Sequence, residues 1–130
     1  MDNDHLGRRL LTAFLLIDGA AIFALWTVAL ARGAFTEGIF HYENGNYPAL
    51  HLAAELLMGG SALLGGLGLW RGARWGRGLA LFSLGALAYS SINSAGWALR
   101  HDLAQLLPMA ATLVAAALCL PYLLRHQEQP

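Results

Sequence analysis

The sequence contains no lysine, a single cysteine and few charged residues of either sign. Charged side chains make up 12% of its 130 residues, and the eight basic residues balance the eight acidic ones. Ordinary soluble domains contain about 25% charged residues, so the low value excludes a typical water-soluble enzyme. The zero net charge excludes an overall basic surface of the kind that binds nucleic acid. Because Cys119 is alone, neither an internal disulfide nor a cysteine-rich metal motif can form.

Apolar residues are abundant instead and fall into four long stretches. Hydrophobic side chains account for 57% of the chain, and a helix of ~20 apolar residues is long enough to cross the hydrocarbon core of a bilayer. We therefore predict an all-α fold, a four-helix transmembrane bundle that forms a single membrane domain over residues 1–130. The predicted helices cover residues 10–31, 48–70, 78–99 and 103–124. The first stretch exceeds the ~7 to 15 apolar residues of a cleavable signal peptide, so we expect it to be retained.

The distribution of arginine predicts the orientation of this bundle. Only Arg32 and Arg100 fall on one side, and the other side carries Arg8, Arg9, Arg71, Arg74, Arg77 and Arg125. Short arginine-rich loops remain in the cytoplasm under the positive-inside rule, so both termini are predicted to be cytoplasmic. A lysine-free chain rich in Leu, Ala and Gly suits a GC-rich bacterial genome, and the expected location is the bacterial inner (plasma) membrane, as a multi-pass protein. Arg71, Arg74 and Arg77 could bind lipid headgroups, but we expect ordinary orienting charges.

One predicted loop, residues 33–47 on the outer side, is long enough to have its own structure. It mixes aromatic and acidic residues with an Asn44-Gly45 turn signal. Two interpretations remain open. The loop lies across the mouth of the bundle as a lid, or its aromatic side chains rest in the lipid headgroup region.

Polar side chains interrupt the apolar helices at compatible depths in the outer half of the membrane. A charged side chain at the centre of a span costs ~2.5 to 3.5 kcal/mol on insertion scales, so such residues usually face the protein interior and have a function. His51 and Glu55 are four residues apart and share one helix face. The sequence predicts an outward-facing pocket lined by Asp18, His51, Glu55, Tyr89 and Asn93. Ser90 on the third helix, and Gln105 and Thr112 on the fourth, come to similar depths.

Each of these residues also has a purely structural interpretation. Glu55 and His51 could form a simple hydrogen-bonded pair near the interface. Asp18 could be neutral and bonded to a serine or tyrosine of a neighbouring helix, which would hold the bundle together. Asn93 could join helices through hydrogen bonds together with Ser90, Ser91 and Ser94, and Tyr89 could serve in packing alone.

The second predicted helix carries a face of small residues that predicts close helix packing. Ser61 and Gly65, like Ala62 and Gly66, are four residues apart, which is the small-xxx-small pattern of membrane helix contacts. The expected partners are Gly85 and Ala86 on the third helix and Ala111, Ala115 and Ala116 on the fourth.

Three functions are compatible with this set of residues. The first is binding or transport of a small molecule or ion coupled to protons, with Asp18 and Glu55 as protonatable acids, His51 tuning Glu55, and Tyr89 and Asn93 as hydrogen-bond partners. The second is a non-catalytic helper subunit that docks through the small-residue face. The third is an intramembrane isomerase in which His51 and Glu55 act as acid and base. On balance the residues favour a protein that is not an enzyme.

Short motifs resemble three groups of small helical membrane proteins. His51-x-x-x-Glu55 resembles the histidine and glutamate pair of EXPERA-type sterol isomerases, over five residues. The position of Asp18 resembles that of the essential carboxylate in the first helix of small multidrug transporters, which use glutamate there. The segments HLAAELLMGG and GLGLWRGARWGRGLALFSLGALAYSSIN, with the following Gly96, resemble small uncharacterised four-helix bacterial membrane proteins. That last resemblance covers about half of the chain and implies a fold and a location.

No cofactor and no metal are predicted. His41, Glu43, His51, His101 and Asp102 offer imidazole and carboxylate on the outer side, but their spacing matches no ligand motif. The expected partners are the lipid bilayer, a small-molecule or ion ligand, and either a second copy of the chain or another membrane protein. Nucleic acid is not an expected partner.

Overall fold

The computed structural model describes residues 3–33, 47–101 and 103–125, and all regular structure in these ranges is helical. Helix α1 covers Asn3–Ala31, α2 covers Tyr47–Trp70, and α3 covers Arg74–His101. A 3₁₀ turn at Leu103–Gln105 leads into α4, Leu106–Arg125. The prediction of an all-α chain with four long helices is confirmed. The predicted outer loop, residues 33–47, lies outside the described residues except at its two ends.

Glycine and proline set the ends of several helices. Gly72, with φ +68°, follows α2, where its N–H donates to the Leu69 carbonyl (3.2 Å) and the Ala73 N–H donates to the Gly68 carbonyl (2.8 Å). This pair of bonds is the Schellman arrangement, which requires a left-handed residue that glycine adopts without strain. At the start of α4, Pro108 has no N–H to donate to the carbonyl four residues earlier. The α-helix accordingly begins at Leu106, after a 3₁₀ turn, rather than at residue 103 as predicted.

Three helices are long and apolar enough to cross a membrane: His5–Ala31, Ala49–Trp70 and Leu103–Arg125, the last including the 3₁₀ turn. Helix α3, predicted as a fourth span over residues 78–99, does not meet the same criterion. The cause is its composition, since four serines, a tyrosine and an asparagine fall among its apolar residues. Composition alone therefore supports three spans and not four.

Each helix packs against the next one along the chain, and neighbours run antiparallel. Contacts are extensive between α1 and α2, α2 and α3, and α3 and α4, whereas α4 meets α1 along a much smaller seam. Leucine and alanine from all four helices form the core, which includes Leu11, Leu15, Met58, Ala62, Ala80, Leu84, Leu87, Ala116 and Leu123. The seam between α1 and α4 is consequently the most open side of the described bundle.

Small residues bring α2 close to both of its neighbours. A Cβ atom added at Gly19 of α1 would lie 2.8 Å from the Gly59 carbonyl oxygen. On the other side of α2, a Cβ at Gly68 would lie 2.5 Å from the Cα of Gly76 in α3. The predicted partners were wrong in part, because a Cβ at Gly85 would have no heavy atom of another element within 4 Å. Helix α2 instead packs its small residues against α1 and the first half of α3.

Candidate functional site

Two carboxyl groups accept hydrogen bonds from hydroxyl groups of other helices. The Ser90 hydroxyl of α3 donates to Glu55 Oε1 of α2 at 2.6 Å. The Thr112 hydroxyl of α4 donates to Asp18 Oδ1 of α1 at 3.2 Å. All four side chains are half-buried. Each of the four helices thus contributes one residue to what we call the carboxyl cluster: Asp18, Glu55, Ser90 and Thr112.

The two acids of the carboxyl cluster lie on the neighbouring helices α1 and α2. Their relative height follows from the packing of α1 on α2. Gly19 faces Gly59 and Leu63, so Asp18 lies at about the level of residues 59–63. Glu55 is four to eight residues from that level, which corresponds to about 6 to 12 Å along the helix axis at ~1.5 Å per residue.

The bond between Asp18 and Thr112 crosses the narrow seam between α1 and α4. Few residues of α4 other than Thr112 approach α1, so less protein surrounds the Asp18 carboxyl group on the side of this seam. The structural interpretation of Asp18, a bond to a neighbouring helix, agrees in kind with this geometry. The donor is a threonine, however, and not the serine or tyrosine that the sequence suggested.

The imidazole of His51 contacts an aromatic ring of α1. The rings of His51 and Trp26 meet edge to face, with centroids 5.7 Å apart and an interplanar angle of 68°. The Trp26 side chain is only 4% exposed. Sequence reasoning gave this tryptophan no role, although its position near the end of α1 puts it opposite the first turns of an antiparallel α2.

Tyr89 and Asn93 do not join the carboxyl cluster. Tyr89 is 74% exposed and Asn93 is exposed as well. Successive residues of an α-helix are ~100° apart, so Ser90 can face α2 only if its neighbour Tyr89 points elsewhere. The structure therefore places the Ser90 and Thr112 hydroxyl groups on the carboxyl oxygens, and a role of Tyr89 and Asn93 in binding a ligand stays a prediction.

A second polar contact, also missed from the sequence, lies deeper between α2 and α3. The hydroxyl oxygens of Ser61 and Ser83 are 3.1 Å apart, and each is 2.7 Å from a carbonyl oxygen of its own helix. Ser83 is completely buried. The sequence could have indicated this contact, because Ser61 of α2 and Ser83 of α3 lie at matching depths in adjacent helices, which favours an interhelical hydrogen bond.

The described residues also form a groove at the opposite end of the bundle from His51. It has a volume of about 550 Å³ and is lined by Arg8, Arg9, Thr12, Ala13, Leu16 and Trp70. The predicted pocket was expected in the other half of the bundle. This groove lies between the first half of α1 and the end of α2, and no residue of the carboxyl cluster lines it.

The fold and the site together define a class: an all-α chain with three helices apolar enough to span a membrane and with carboxyl groups hydrogen-bonded between helices. Within that class, the chain belongs to the family described as Domain of unknown function (DUF8058), whose model matches residues 6–129. No curated protein and no solved structure shows significant similarity to the chain. The comparisons show an uncharacterised family, and they show neither a bacterial origin nor a resemblance to EXPERA-type isomerases.

Proposed function

We propose that this protein spans the bacterial inner membrane four times and binds or moves a small cation or protonatable amphiphile in exchange for a proton at Asp18 and Glu55. The observation that carries the proposal is the carboxyl cluster, in which two acids on separate apolar helices each accept a hydrogen bond from a hydroxyl group of a further helix. Both termini are proposed to be cytoplasmic.

Helix packing supports a fourth crossing by α3. Arg77, near the start of α3, donates to the Leu123 carbonyl near the end of α4 at 3.0 Å, so these helices run antiparallel. Helices α2 and α3 are antiparallel too, since Gly68 faces Gly76. If α2 and α4 cross the bilayer, α3 must return the chain between them. Its 28 residues extend about 42 Å, which exceeds the ~30 Å hydrocarbon core.

The free-energy cost of placing charged carboxylates among apolar helices supports proton exchange. A carboxylate among apolar helices loses its hydration, and a bound proton or other cation offsets that cost. The hydroxyl groups of Ser90 and Thr112 can remain bonded whether the carboxyl group holds a proton or is ionised beside another cation. A hydroxyl donates to an ionised carboxylate and accepts from a protonated carboxyl group, so Ser90 and Thr112 can satisfy both states.

Cation-induced proton release tests this function. Tetraphenylphosphonium, a lipophilic cation that can enter an apolar bundle, is added to the full-length protein in weakly buffered micelles with a pH-sensitive dye. We expect the wild type to release protons, and the Asp18→Asn and Glu55→Gln variants to release few or none. Each substitution removes one exchangeable proton while it keeps the size of the side chain.

Gly60→Ala is the matched control, since a Cβ at Gly60 meets nothing within 4 Å, and it should release protons as the wild type does. Sodium ions provide a second probe for a small, hydrated cation. The proposal is rejected if neither cation releases protons from a folded wild-type protein between about pH 5 and 8.

The two other functions remain predictions, and they differ in the variants they tolerate. A helper subunit would tolerate both acid substitutions. Gly66→Leu does not single out this function, because a Cβ at Gly66 already lies 3.0 Å from Leu16 Cγ of α1, inside the bundle. An isomerase would lose turnover with Glu55→Gln and still bind its ligand.

A further inference from the structure

The groove of about 550 Å³ between α1 and the end of α2 is lined by two arginines, one threonine and otherwise apolar side chains. Arg8 and Arg9 stand at its entrance, and both are exposed. Within the described part of the chain, neither guanidinium has a hydrogen-bond or ion-pair partner. Two arginines that line one groove are suited to an anion, and the planar guanidinium matches the geometry of a phosphate group.

The rest of the groove changes character along α1. Ala13 and Leu16 lie four to eight residues beyond the arginines, which places them up to about 12 Å deeper along the helix axis. Trp70, 69% exposed at the end of α2, forms the facing wall. A ligand that fills the groove must therefore be anionic at one end and apolar at the other.

The surrounding surface favours the same ligand. Arg71 and Arg74 are exposed at this end of the bundle and add positive charge near the entrance. Exposed tryptophan is typical of the membrane interface, where phospholipid headgroups lie. Basic pockets beside membrane helices bind anionic headgroups on the cytoplasmic side.

We propose that this groove binds one anionic phospholipid, with its phosphate on Arg8 and Arg9 and an acyl chain along Ala13, Leu16 and Trp70. The inference rests on the proposed insertion in a membrane, but not on the proton chemistry of Asp18 and Glu55. A free phosphate would use the arginines alone and would leave the apolar part of the groove unfilled.

Quenching of tryptophan by brominated lipid tests the site. The full-length protein is reconstituted in phosphatidylcholine bilayers that contain equal fractions of either brominated phosphatidylglycerol or brominated phosphatidylcholine. We expect stronger quenching by the brominated phosphatidylglycerol, because the groove concentrates it beside Trp70. The excess quenching is the quenching by brominated phosphatidylglycerol beyond that by brominated phosphatidylcholine. It should be lost in Trp70→Phe and retained in Trp75→Phe, since Trp75 is exposed at the same end but does not line the groove.

A pair of charge-matched variants separates a specific site from general attraction. Arg8→Gln with Arg9→Gln should reduce the excess quenching to the level of phosphatidylcholine. Arg71→Gln with Arg74→Gln removes the same charge at the same end, outside the groove, and should leave most of the excess. Equal losses in the two double variants, or no excess in the wild type, would overturn the proposal.

Two further measurements give the remaining arms of the test. Displacement of the lipid by inorganic phosphate would indicate a site for a free anion and would also overturn the proposal. In the Asp18→Asn variant, brominated phosphatidylglycerol should quench the tryptophan fluorescence as strongly as in the wild type. A failure of the proton chemistry and a failure of the lipid site therefore give different results. Circular dichroism of each variant checks that the helices are retained.

Discussion

A carboxyl group inside an apolar helix bundle needs partners that replace the water it has lost. Ser90 and Thr112 supply such partners to Glu55 and Asp18, and each bond also joins two helices. Interhelical hydrogen bonds in membrane proteins contribute about 0.6 kcal/mol on average and about 1.7 kcal/mol at most. These two contacts therefore matter for stability even if the acids have a chemical role.

Removal of either hydroxyl should lower the free energy of unfolding. We expect Ser90→Ala to cost about 1 to 1.5 kcal/mol and Thr112→Val somewhat less, because the Ser90 bond is shorter, 2.6 Å against 3.2 Å. Denaturant titration in micelles, followed by far-UV circular dichroism, measures both values.

Thr27→Val is the control for this prediction. The Thr27 hydroxyl is exposed and bonds only to the Phe23 carbonyl of its own helix at 2.7 Å, so its loss should change stability by less than about 0.5 kcal/mol. A cost for Thr27→Val equal to that of Thr112→Val would contradict an interhelical role for Thr112.

At the scale of elements, α2 is the central helix because its small residues let two neighbours approach. Gly59 meets α1 on one side, and Gly65 and Gly68 meet α3 on the other. Close backbone approach increases van der Waals contact, which is a main source of helix association in lipid. The glycines are needed here for space, and their usual cost in helix propensity is offset by packing.

An added methyl group on α2 should therefore have opposite effects at two nearby glycines. Gly68→Ala places a Cβ 2.5 Å from the Cα of Gly76 and 2.8 Å from the Trp75 ring, and should destabilise the protein by about 1 to 3 kcal/mol through overpacking.

Gly60→Ala meets nothing within 4 Å and should be neutral or stabilise by up to about 1 kcal/mol, because alanine favours a helix. Thermal unfolding of both variants in micelles compares them directly. The packing assignment fails if the two variants unfold at the same temperature as the wild type.

At the scale of the whole molecule, the antiparallel order of helices and the arginine distribution combine into one orientation. The arginine-rich end holds the start of α1, the turn between α2 and α3, and the end of α4. The groove and the carboxyl cluster use different side chains of the bundle, and in the proposed orientation the groove faces the cytoplasmic leaflet.

Labelling of single cysteines tests this orientation. In a Cys119→Ser background, Ala31→Cys lies at the exposed end of α1 and Ala73→Cys lies in the turn between α2 and α3. A membrane-impermeant maleimide should label position 31 in intact cells and position 73 only after permeabilisation. The opposite pattern, or labelling of both positions in intact cells, would rule out the orientation in which both termini are cytoplasmic.

The number and type of the helices were predictable because they depend on local patterns. Long apolar runs, the Gly72 turn and Pro108 act over a few residues, and no distant contact is needed to interpret them. The early start of α1 at Asn3, seven residues before the predicted one, was harder to foresee, since its first turns carry charged and polar residues. Three of four predicted spans met the criterion of length and apolarity.

The carboxyl cluster was predictable only in part. Asp18 and Glu55 stand out in any sequence analysis, because an isolated acid in an apolar stretch is rare. Their partners depend on the rotation of α3 and α4 about their own axes, and a single residue step turns a side chain by ~100°. Tyr89 and Ser90 are adjacent in sequence, yet one is 74% exposed and the other is bonded to Glu55.

The sequence by itself determined an apolar, all-helical chain with rare acids inside it, since composition and short-range pattern suffice for that. Only the tertiary structure decided that Ser90 and Thr112 donate hydrogen bonds to those acids. It also decided that α2 packs on α1 and α3 and that Arg8 and Arg9 line a groove with apolar residues. The physical reason is that helix rotation and crossing arise from the fit of many side chains at once, which no local pattern specifies.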